Sequence, residues 1–336
     1  AERIALSIMG FLGKRHAVLA LILSCALLTF AGVFIDIAVL TVAPVALAVA
    51  QRGGYSRIGT LFALIGGGKS GNVISANPNS IIAAENYNVA LPDMMLANIP
   101  AALAGIVATL LVSDWLIKKG ERVVAAAQVE ETKNLPSFFT AVIGPVVAVG
   151  LLFLRPTFGI EIDPLIALPV GGIVGLLAMR RARAFNDYVG FGLEKMSVVA
   201  VLLIGTGALA GIIQASTLKD LILHGMETFG LSAVLIAPIS AALMSGATAS
   251  TTAGATIASA TFAQTVTAAG VSAVWGAAMT NAGATVLDHL PHGSFFHVTA
   301  GSVGMDFSTR LKLIPFESLV GFILASISTA CCLLFS

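Results

Sequence analysis

The chain has 336 residues, of which 57% are hydrophobic and only 10% are charged, and its mean hydropathy is +0.96. Soluble proteins carry about 25% charged residues, so this sequence lacks the charge needed to cover a water-facing surface. The composition excludes a soluble enzyme and predicts an all-α polytopic membrane protein surrounded by a lipid bilayer. The net charge of +1 gives no reason to expect a nucleic-acid partner. The three cysteines lie in apolar runs and have neither disulfide nor zinc spacing.

The first predicted element is a re-entrant hairpin over residues 17–50. This apolar stretch is too long for one span and has no charged loop that would separate two spans. A hairpin that enters and leaves on one side, with its tip at mid-membrane, explains both features. Asp36 is the only acid in the stretch, and burying a carboxylate there costs about 3 kcal/mol or more. Asp36 is therefore a candidate for proton coupling, and the alternative is a buried ion pair with Lys69.

A discontinuous helix is predicted over residues 60–92. Glycines at 66–68 and 71 release the backbone from helical geometry, and Pro78 blocks its continuation. A helix that restarts inside the membrane exposes N–H groups that can hold an anion. Asn72, Ser75 and Asn77 are therefore candidate substrate-binding residues. The alternative is a kinked packing helix whose polar side chains bridge neighbouring helices.

Ordinary spans and a linker follow the discontinuous helix. A span is predicted at 97–117, a cytoplasmic linker at 118–136, and three scaffold spans within 137–214, at 137–154, 164–179 and 196–214. Most Lys and Arg residues fall on one side in this arrangement, which is typical of the cytoplasmic face. These residues include Lys14, Arg15 and the basic residues of the loop 180–195.

A second re-entrant hairpin is predicted over residues 231–265, because the apolar run changes at its centre to small and hydroxyl residues. The tip residues Ser245, Gly246, Thr248 and Ser250 are candidate contacts for a hydroxylated or carboxylated substrate. The alternative is that these small residues only allow the helices to approach closely.

A second discontinuous helix is predicted over residues 271–300, before the last span at 313–335. Thr280 and Asn281 are candidate substrate-binding residues on its first part. Asp288, His289 and His292 are candidates for proton coupling, because histidine titrates near neutrality and a neighbouring carboxylate can hold a proton. One alternative is that these three residues are simply solvated at the cytoplasmic mouth. A metal site is less favoured, since no further ligands cluster nearby in the sequence.

The two halves of the chain align at an offset of 212 to 217 residues. Polar interruptions align as well as apolar runs, which predicts an inverted repeat with a first unit at 1–117 and a second at 137–336. Chance similarity between Gly- and Ala-rich membrane segments is the alternative. The second unit has three spans before its hairpin and the first has none, so about three N-terminal helices are expected to be missing. Transport by this chain alone is then not expected.

These motifs resemble those of the gluconate permease family of proton symporters, within the larger ion transporter superfamily. The resemblance rests on Gly71-Asn72-Val73-Ile74-Ser75-Ala76-Asn77-Pro78-Asn79, on Val33-Phe34-Ile35-Asp36 and on Ser245-Gly246-Ala247-Thr248. It implies a proton-coupled importer of gluconate or a related sugar acid, with two hairpins and two discontinuous helices around the site. The run 288–293 departs from the pattern of typical gluconate carriers.

The leading hypothesis is therefore a secondary transporter that imports a small organic anion by proton symport across the inner (plasma) membrane. No cofactor other than the coupling ion is expected, and a homodimer is one option for its assembly. Sodium-coupled uptake of citrate or a dicarboxylate is a second hypothesis, because carbonyl groups at broken helices also suit sodium. A membrane-embedded enzyme is disfavoured, since no nucleophile or metal set accompanies Asp288 and His289. An inactive truncated or scaffold protein is the remaining alternative.

Overall fold

The computed structural model describes residues 2–13, 16–124 and 135–335. Lys14, Arg15 and residues 125–134 of the predicted linker lie outside the described residues. The protein is all-α, and its described residues form no strand beyond an isolated bridge between Ser56 and Arg122.

The first part of the chain forms seven helices. They are α1 (Glu2–Leu12), α2 (Ala17–Phe30), α3 (Ile35–Gly53), α4 (Arg57–Asn72), α5 (Pro78–Asn86), α6 (Leu91–Ala97) and α7 (Ile99–Leu116). The middle part contains α8 (Phe138–Leu152), α9 (Leu154–Phe158), α10 (Pro164–Ala178) and α11 (Phe185–Ala215). The last part contains α12 (Leu218–Thr228), α13 (Ile236–Thr248), α14 (Thr251–Ala268), α15 (Ala273–Gly283), α16 (Ser294–Ser302), α17 (Phe307–Leu311) and α18 (Ile314–Phe335).

Several helices have the length and hydropathy of membrane spans. Within the described ranges, four segments can cross a membrane by length and composition, at Ile35–Gly53, Ile99–Leu116, Ala182–Ala215 and Phe307–Phe335. Shorter apolar helices accompany them, among them α2, α8 and α10. The protein is thus a polytopic membrane protein. Whether its two hairpins re-enter the membrane stays a prediction.

One helix is longer than the span predicted within it. The span predicted at 196–214 begins at Phe185, so the C-terminal part of the predicted loop 180–195 is helical. Its polar residues, including Asn186 and Asp187, are compatible with a helix that extends beyond the hydrocarbon core, because the α-helical backbone satisfies its own hydrogen bonds. Only Met179, Arg180, Arg181 and a short 3-10 turn at Ala182–Ala184 separate α10 from α11.

Helix bounds recur along the chain with a constant spacing. Each of α1, α3, α4, α5 and α6 begins 216 residues before α12, α14, α15, α16 and α17, respectively. The positive φ angles recur with almost the same spacing, at Gly13 and Gly230, Gly32 and Ala249, Gly54 and Gly270, and Asn88 and Gly304. The two units thus share one order of helices and breaks. Their inversion relative to the membrane stays a prediction.

The core of the first unit is built by close contact between α4 and α2. A side chain at Gly67 would place its Cβ 2.2 Å from the carbonyl oxygen of Ile22, and one at Gly71 would place it 2.0 Å from that of Ala26. Glycine at these positions therefore allows the two backbones to touch, as at other close crossings of membrane helices. This contact fixes the end of α4, which carries Lys69 and Asn72.

Candidate functional site

The candidate site lies where the interruptions of the helices meet. We call residues 31–34 and 249–250 the first and second hairpin turns, and residues 73–77 and 284–293 the first and second breaks. In the first unit, Gly32 of the hairpin turn lies against the carbonyl oxygen of Ala76 in the break. In the second unit, Gly293 of the break lies against Ala249 of the hairpin turn. Each hairpin turn therefore contacts the break of its own unit.

A buried charged cluster joins the end of α4 to the second break. The Lys69 ammonium donates to the carbonyl oxygen of Thr285 at 2.6 Å and to Asp288 Oδ1 at 2.6 Å, and it lies 2.9 Å from His289 Nδ1. The side chains of Lys69 and His289 are fully buried, and that of Asp288 is 3% exposed. The ammonium has three N–H donors and meets three acceptors here, so its hydrogen-bonding capacity is fully used.

Lys69 also interacts with a backbone carbonyl group at the C-terminal end of α15 in the second unit. Thr285 follows the end of α15, where carbonyl groups have no partner within their own helix. The C-terminal end of a helix carries a partial negative charge, which favours a nearby cation. Lys69 from α4 therefore caps the end of α15 in the other unit.

Hydrogen bonds orient the other two members of the cluster. His289 Nε2 lies 3.0 Å from the carbonyl oxygen of Ile314 and 3.1 Å from Ser318 Oγ. A carbonyl oxygen only accepts, which assigns the hydrogen to Nε2 and leaves Nδ1 as an acceptor for Lys69. The Thr251 hydroxyl, in the first turn of α14, donates to Asp288 Oδ2 at 2.5 Å. The carboxylate is thus held by Lys69 on one oxygen and by Thr251 on the other.

A second cluster, of buried amides, lies beside the charged one. Asn281 donates to the carbonyl oxygen of Val73 at 3.2 Å and to Ser80 Oγ at 3.0 Å, and it accepts from Asn79 at 2.9 Å. Asn98 donates to the carbonyl oxygens of Val73 at 3.2 Å and Ala278 at 3.1 Å. Both amides donate to the Val73 carbonyl group, which the break between α4 and α5 leaves without a helical partner. Asn98 also reaches α15, and Asn281 reaches α5, so the amides join the two units.

Two polar side chains at the first break, on the last residue of α4 and inside the break, carry donors without an acceptor. Asn77 donates to Asn72 Oδ1 at 2.7 Å and accepts from the Ser80 amide at 3.0 Å, which fixes both side chains. The buried Asn72 Nδ2 and Ser75 Oγ have no hydrogen-bond partner among the residues that the structure describes. A buried donor without an acceptor costs about 1–3 kcal/mol, so a ligand with acceptor atoms would be favoured here.

The predicted hydroxyl residues at the end of α13 and in the second hairpin turn form hydrogen bonds with backbone groups of neighbouring residues. Ser245 donates to the carbonyl oxygen of Ala242, and Thr248 to that of Met244. Ser250 accepts from the Ala253 amide and so caps α14. Gly246 lies against Leu287 of the second break. Their predicted role in substrate binding stays a prediction, as does that of Thr280, whose hydroxyl pairs with Tyr87 at 3.0 Å.

Two alternatives considered for the acidic residues are wrong. Lys69 pairs with Asp288 and not with Asp36, whose carboxylate accepts from the Ile37 amide in the first turn of α3. Asp288 and His289 are buried and not solvated at a mouth. His292 is exposed, and the structure does not bring it or Asp36 into the charged cluster. The sequence separation of Lys69 and Asp288 hides their contact, although a lone lysine in an apolar run is a signal for a buried partner.

Comparison with known proteins agrees with a transporter. A sequence model described as the Na+-H+ antiporter family matches residues 140–229, which cover α8 to α12. The chain is 52% identical over 330 residues to a protein of Haemophilus influenzae named an uncharacterized transporter, and the alignment covers 98% of this chain and 79% of that protein. This degree of identity over nearly the whole chain shows common ancestry. The chain therefore belongs to the same family of membrane transporters as the Haemophilus influenzae protein.

Proposed function

We propose that this protein is a secondary active transporter that imports a small organic anion, of the sugar-acid class, together with protons across the inner (plasma) membrane. The observation that carries the proposal is the buried cluster in which Lys69, near the end of α4, contacts Asp288 and His289 of the second break. Ionisable groups inside a membrane bundle are costly and mark ion or proton pathways. Sites at broken helices between two repeated units are typical of secondary transporters.

An anionic substrate is supported by the excess of donors at the first break. Asn72 Nδ2 and Ser75 Oγ lack protein acceptors, and α5 begins directly after them at Pro78. A helix N-terminus adds a partial positive charge that favours a carboxylate. The choice of gluconate or a related sugar acid comes from the resemblance of the run 71–79 to the gluconate permeases.

A second candidate is exchange of sodium for protons, and the match of residues 140–229 to the Na+-H+ antiporter family favours it. Asp288 and the Thr285 carbonyl group are oxygen ligands of the kind that sodium uses at broken helices. In the structure the Lys69 ammonium occupies that position. Sodium-coupled uptake of a carboxylate such as citrate would use the same ligands.

Transport assays with proteoliposomes distinguish these functions. This chain and its Haemophilus influenzae relative, of which the alignment covers 79%, are reconstituted separately. For each protein, uptake of radiolabelled gluconate is measured with an acidic exterior, with no gradient, and with a sodium gradient alone, so that the relative tests the function even where this chain alone is inactive. Proton symport predicts accumulation that requires the pH gradient and does not require sodium. In parallel, a dye inside the vesicles reports pH when sodium is added without an organic anion. A sodium-dependent pH change without anion uptake would replace the proposal by sodium–proton exchange.

A further inference from the structure

The role of the Lys69 ammonium can be inferred one step further, on the basis of the proposed function. We propose that Lys69 is the binding group for the substrate carboxylate, and that Asp288 competes with the substrate for it. In the empty transporter the ammonium is paired with the Asp288 carboxylate. When Asp288 takes up a proton, the ammonium is released and pairs with the substrate instead. The site is thus a carboxylate-binding site that protonation opens.

The hydrogen bonds of Asp288 define the step. Oδ1 accepts from Lys69 at 2.6 Å, and Oδ2 accepts from Thr251 at 2.5 Å. One proton from the aqueous phase adds to Oδ1 and displaces the ammonium. The hydrogen bond that Thr251 donates to Oδ2 is kept. The new O–H group can donate to His289 Nδ1, which lies 3.0 Å from Oδ1 and is otherwise an acceptor for Lys69. Asp288 and His289 therefore keep partners after protonation, whereas Lys69 keeps only the Thr285 carbonyl oxygen and has two N–H groups left for the substrate.

Charge balance explains why the proton and the substrate bind together. A buried ammonium without a counter-ion is strongly unfavourable, so Lys69 needs one carboxylate in every state. Asp288 supplies it when it is ionised, and the substrate supplies it when Asp288 is protonated. Protonation without substrate, or substrate without protonation, leaves a buried charge uncompensated. Binding of one proton and one carboxylate is therefore coupled.

Donors for the substrate lie next to Lys69. Asn72 follows Lys69 by three positions at the end of α4, and this spacing places both side chains on one face of the helix. The amide Nδ2 of Asn72 and the hydroxyl of Ser75 are the unpaired donors of the first break. These donors can bind the second carboxylate oxygen of the substrate or one of its hydroxyl groups. They therefore favour a polyhydroxylated acid over an acid with an apolar chain.

Other ionisable groups near the cluster are already engaged or lie at a distance from it. Neither α13 nor α14, which pack against α15, carries an ionisable side chain. Five other acids lie on helices packed against α4 or α15. Glu317 pairs with Arg310, and Asp93 pairs with Arg155. Asp36 is hydrogen-bonded at the start of α3, and Glu85 and Asp114 are exposed. Asp288 with His289 is therefore the group whose protonation acts directly on Lys69.

The proposal is tested by the pH dependence of substrate binding. Equilibrium binding of radiolabelled gluconate to the purified full chain is measured between about pH 5.5 and 8. If one proton binds with each substrate, wild-type affinity falls about tenfold per pH unit above the titration of the site. Asp288→Asn imitates the protonated acid, so its binding should be tight and independent of pH. In proteoliposomes this variant should exchange internal for external gluconate but should not accumulate it along a pH gradient.

Lys69→Met should weaken binding at every pH by at least about thirtyfold, because the substrate loses its counter-ion. Asp187→Asn, an acid-to-amide change on the exposed start of α11, is the matched control and should behave like wild type. Size-exclusion chromatography verifies that each variant is folded. If Asp288→Asn does not fold, titration calorimetry of the wild type in two buffers of different ionisation enthalpy gives the protons taken up per substrate, and the expected number is about one.

The outcomes separate this inference from the function on which it rests. No gluconate binding by the wild type at any pH would overturn both. Wild-type binding and proton-driven uptake, with Asp288→Asn keeping the wild-type pH dependence, would overturn only the competition for Lys69. Unchanged affinity of Lys69→Met would also overturn only the competition for Lys69. So would the absence of proton uptake on substrate binding in a wild type that still takes up gluconate along a pH gradient.

Discussion

Arg310 and Glu317 form a second buried ion pair, near the junction of α17 and α18. Both guanidinium Nη atoms donate to the carboxylate, and the Nη2–Oε2 distance is 3.1 Å. Nη2 also donates to Thr299 Oγ1 at 3.3 Å, and the guanidinium lies 4.8 Å from the centre of the Phe296 ring. Both charged side chains are fully buried. Among the described residues, no hydrogen bond or ion pair joins Arg310 or Glu317 to Lys69, Asp288 or His289, so we assign the pair to structure and not to transport.

Breaking the Arg310–Glu317 pair should destabilise the protein strongly. Arg310→Met or Glu317→Gln alone leaves an uncompensated buried charge, and we expect a loss of about 3–5 kcal/mol in the free energy of unfolding. The double variant Arg310→Met/Glu317→Leu replaces both charges by apolar groups and should recover most of this loss. The midpoint of thermal unfolding in detergent measures the effect. A double variant as unstable as the worse single variant would contradict this explanation.

Asp306 caps the short helix α17 and itself lies outside the candidate span Phe307–Phe335, and its ionisation gives a second prediction. Hydrogen bonds from the Ser308 hydroxyl and from Thr309 hold the pKa of Asp306 below its ordinary value of 3.8. Since the folded state lowers this pKa, its stabilisation is present above pH ~4 and is lost as pH falls through the folded-state value. Asp306→Ala should therefore speed hydrogen exchange of the Thr309 amide at neutral pH. In the wild type the corrected exchange rate should stay constant between about pH 5 and 8.

The candidate site residues could be predicted from the sequence only in part. Asp288 and His289 stand out as ionisable groups in an apolar run, and both lie in the charged cluster. His292 gives the same signal three residues later but is exposed, because the second break turns between them. The sequence suggests Asp36 as the partner of Lys69, whereas the observed partner is Asp288. Local spacing in the sequence carries no information on a contact across 219 residues. Identification of this pair required the packing of α4 against the second unit.

At the scale of elements, breaks were easier to predict than helix ends. Glycines and Pro78 indicated the interruption at 73–77, and the run of small and hydroxyl residues indicated the one at 249–250, because these residues favour non-helical backbone or small turns. The turn at 31–34 was indicated by the length of its apolar stretch and by Asp36, and the break at 284–293 by the alignment of the two halves. α11 begins eleven residues before the span predicted at 196–214, because the helix includes polar residues of the predicted loop. A helix is free to continue into the polar interface, where its outward side chains are hydrated.

Close contact of α4 with α2 leads to a prediction about packing. Gly67→Val would place a Cβ 2.2 Å from the backbone oxygen of Ile22, which cannot rotate away as a side chain could. We expect a loss of about 1–3 kcal/mol and displacement of the end of α4 with Lys69. Gly211→Val on α11 is the matched control, because a Cβ there meets no atom within 4 Å. Equal unfolding midpoints for the two variants would show that the contact is not tight.

At the scale of the whole molecule, the charged cluster is built by both units and belongs to neither alone. Lys69 comes from the end of α4, whereas Thr285, Asp288 and His289 come from the corresponding break after α15. Positions 69 and 285 are themselves 216 residues apart, the spacing that relates the two units. Motion of one unit against the other would therefore change the partners of Lys69. Such a motion would link the proposed protonation of Asp288 to the alternating access that repeated units provide in secondary transporters.

Charge balance over the whole transport cycle gives the last prediction. If one proton on Asp288 accompanies each monoanionic substrate on Lys69, the loaded and the empty site carry the same net charge, and transport is electroneutral. Uptake of gluconate driven by a pH gradient should then be unaffected when valinomycin and a potassium gradient impose an interior-negative potential of about 100 mV. Movement of one net charge would instead change the accumulation ratio by up to about fiftyfold at this potential, because a charge crossing it gains about 2.3 kcal/mol. A voltage-sensitive dye verifies the imposed potential in the same vesicles. Uptake that rises with the interior-negative potential would show that more than one proton enters with each anion, and a further acid such as Asp36 would then be required.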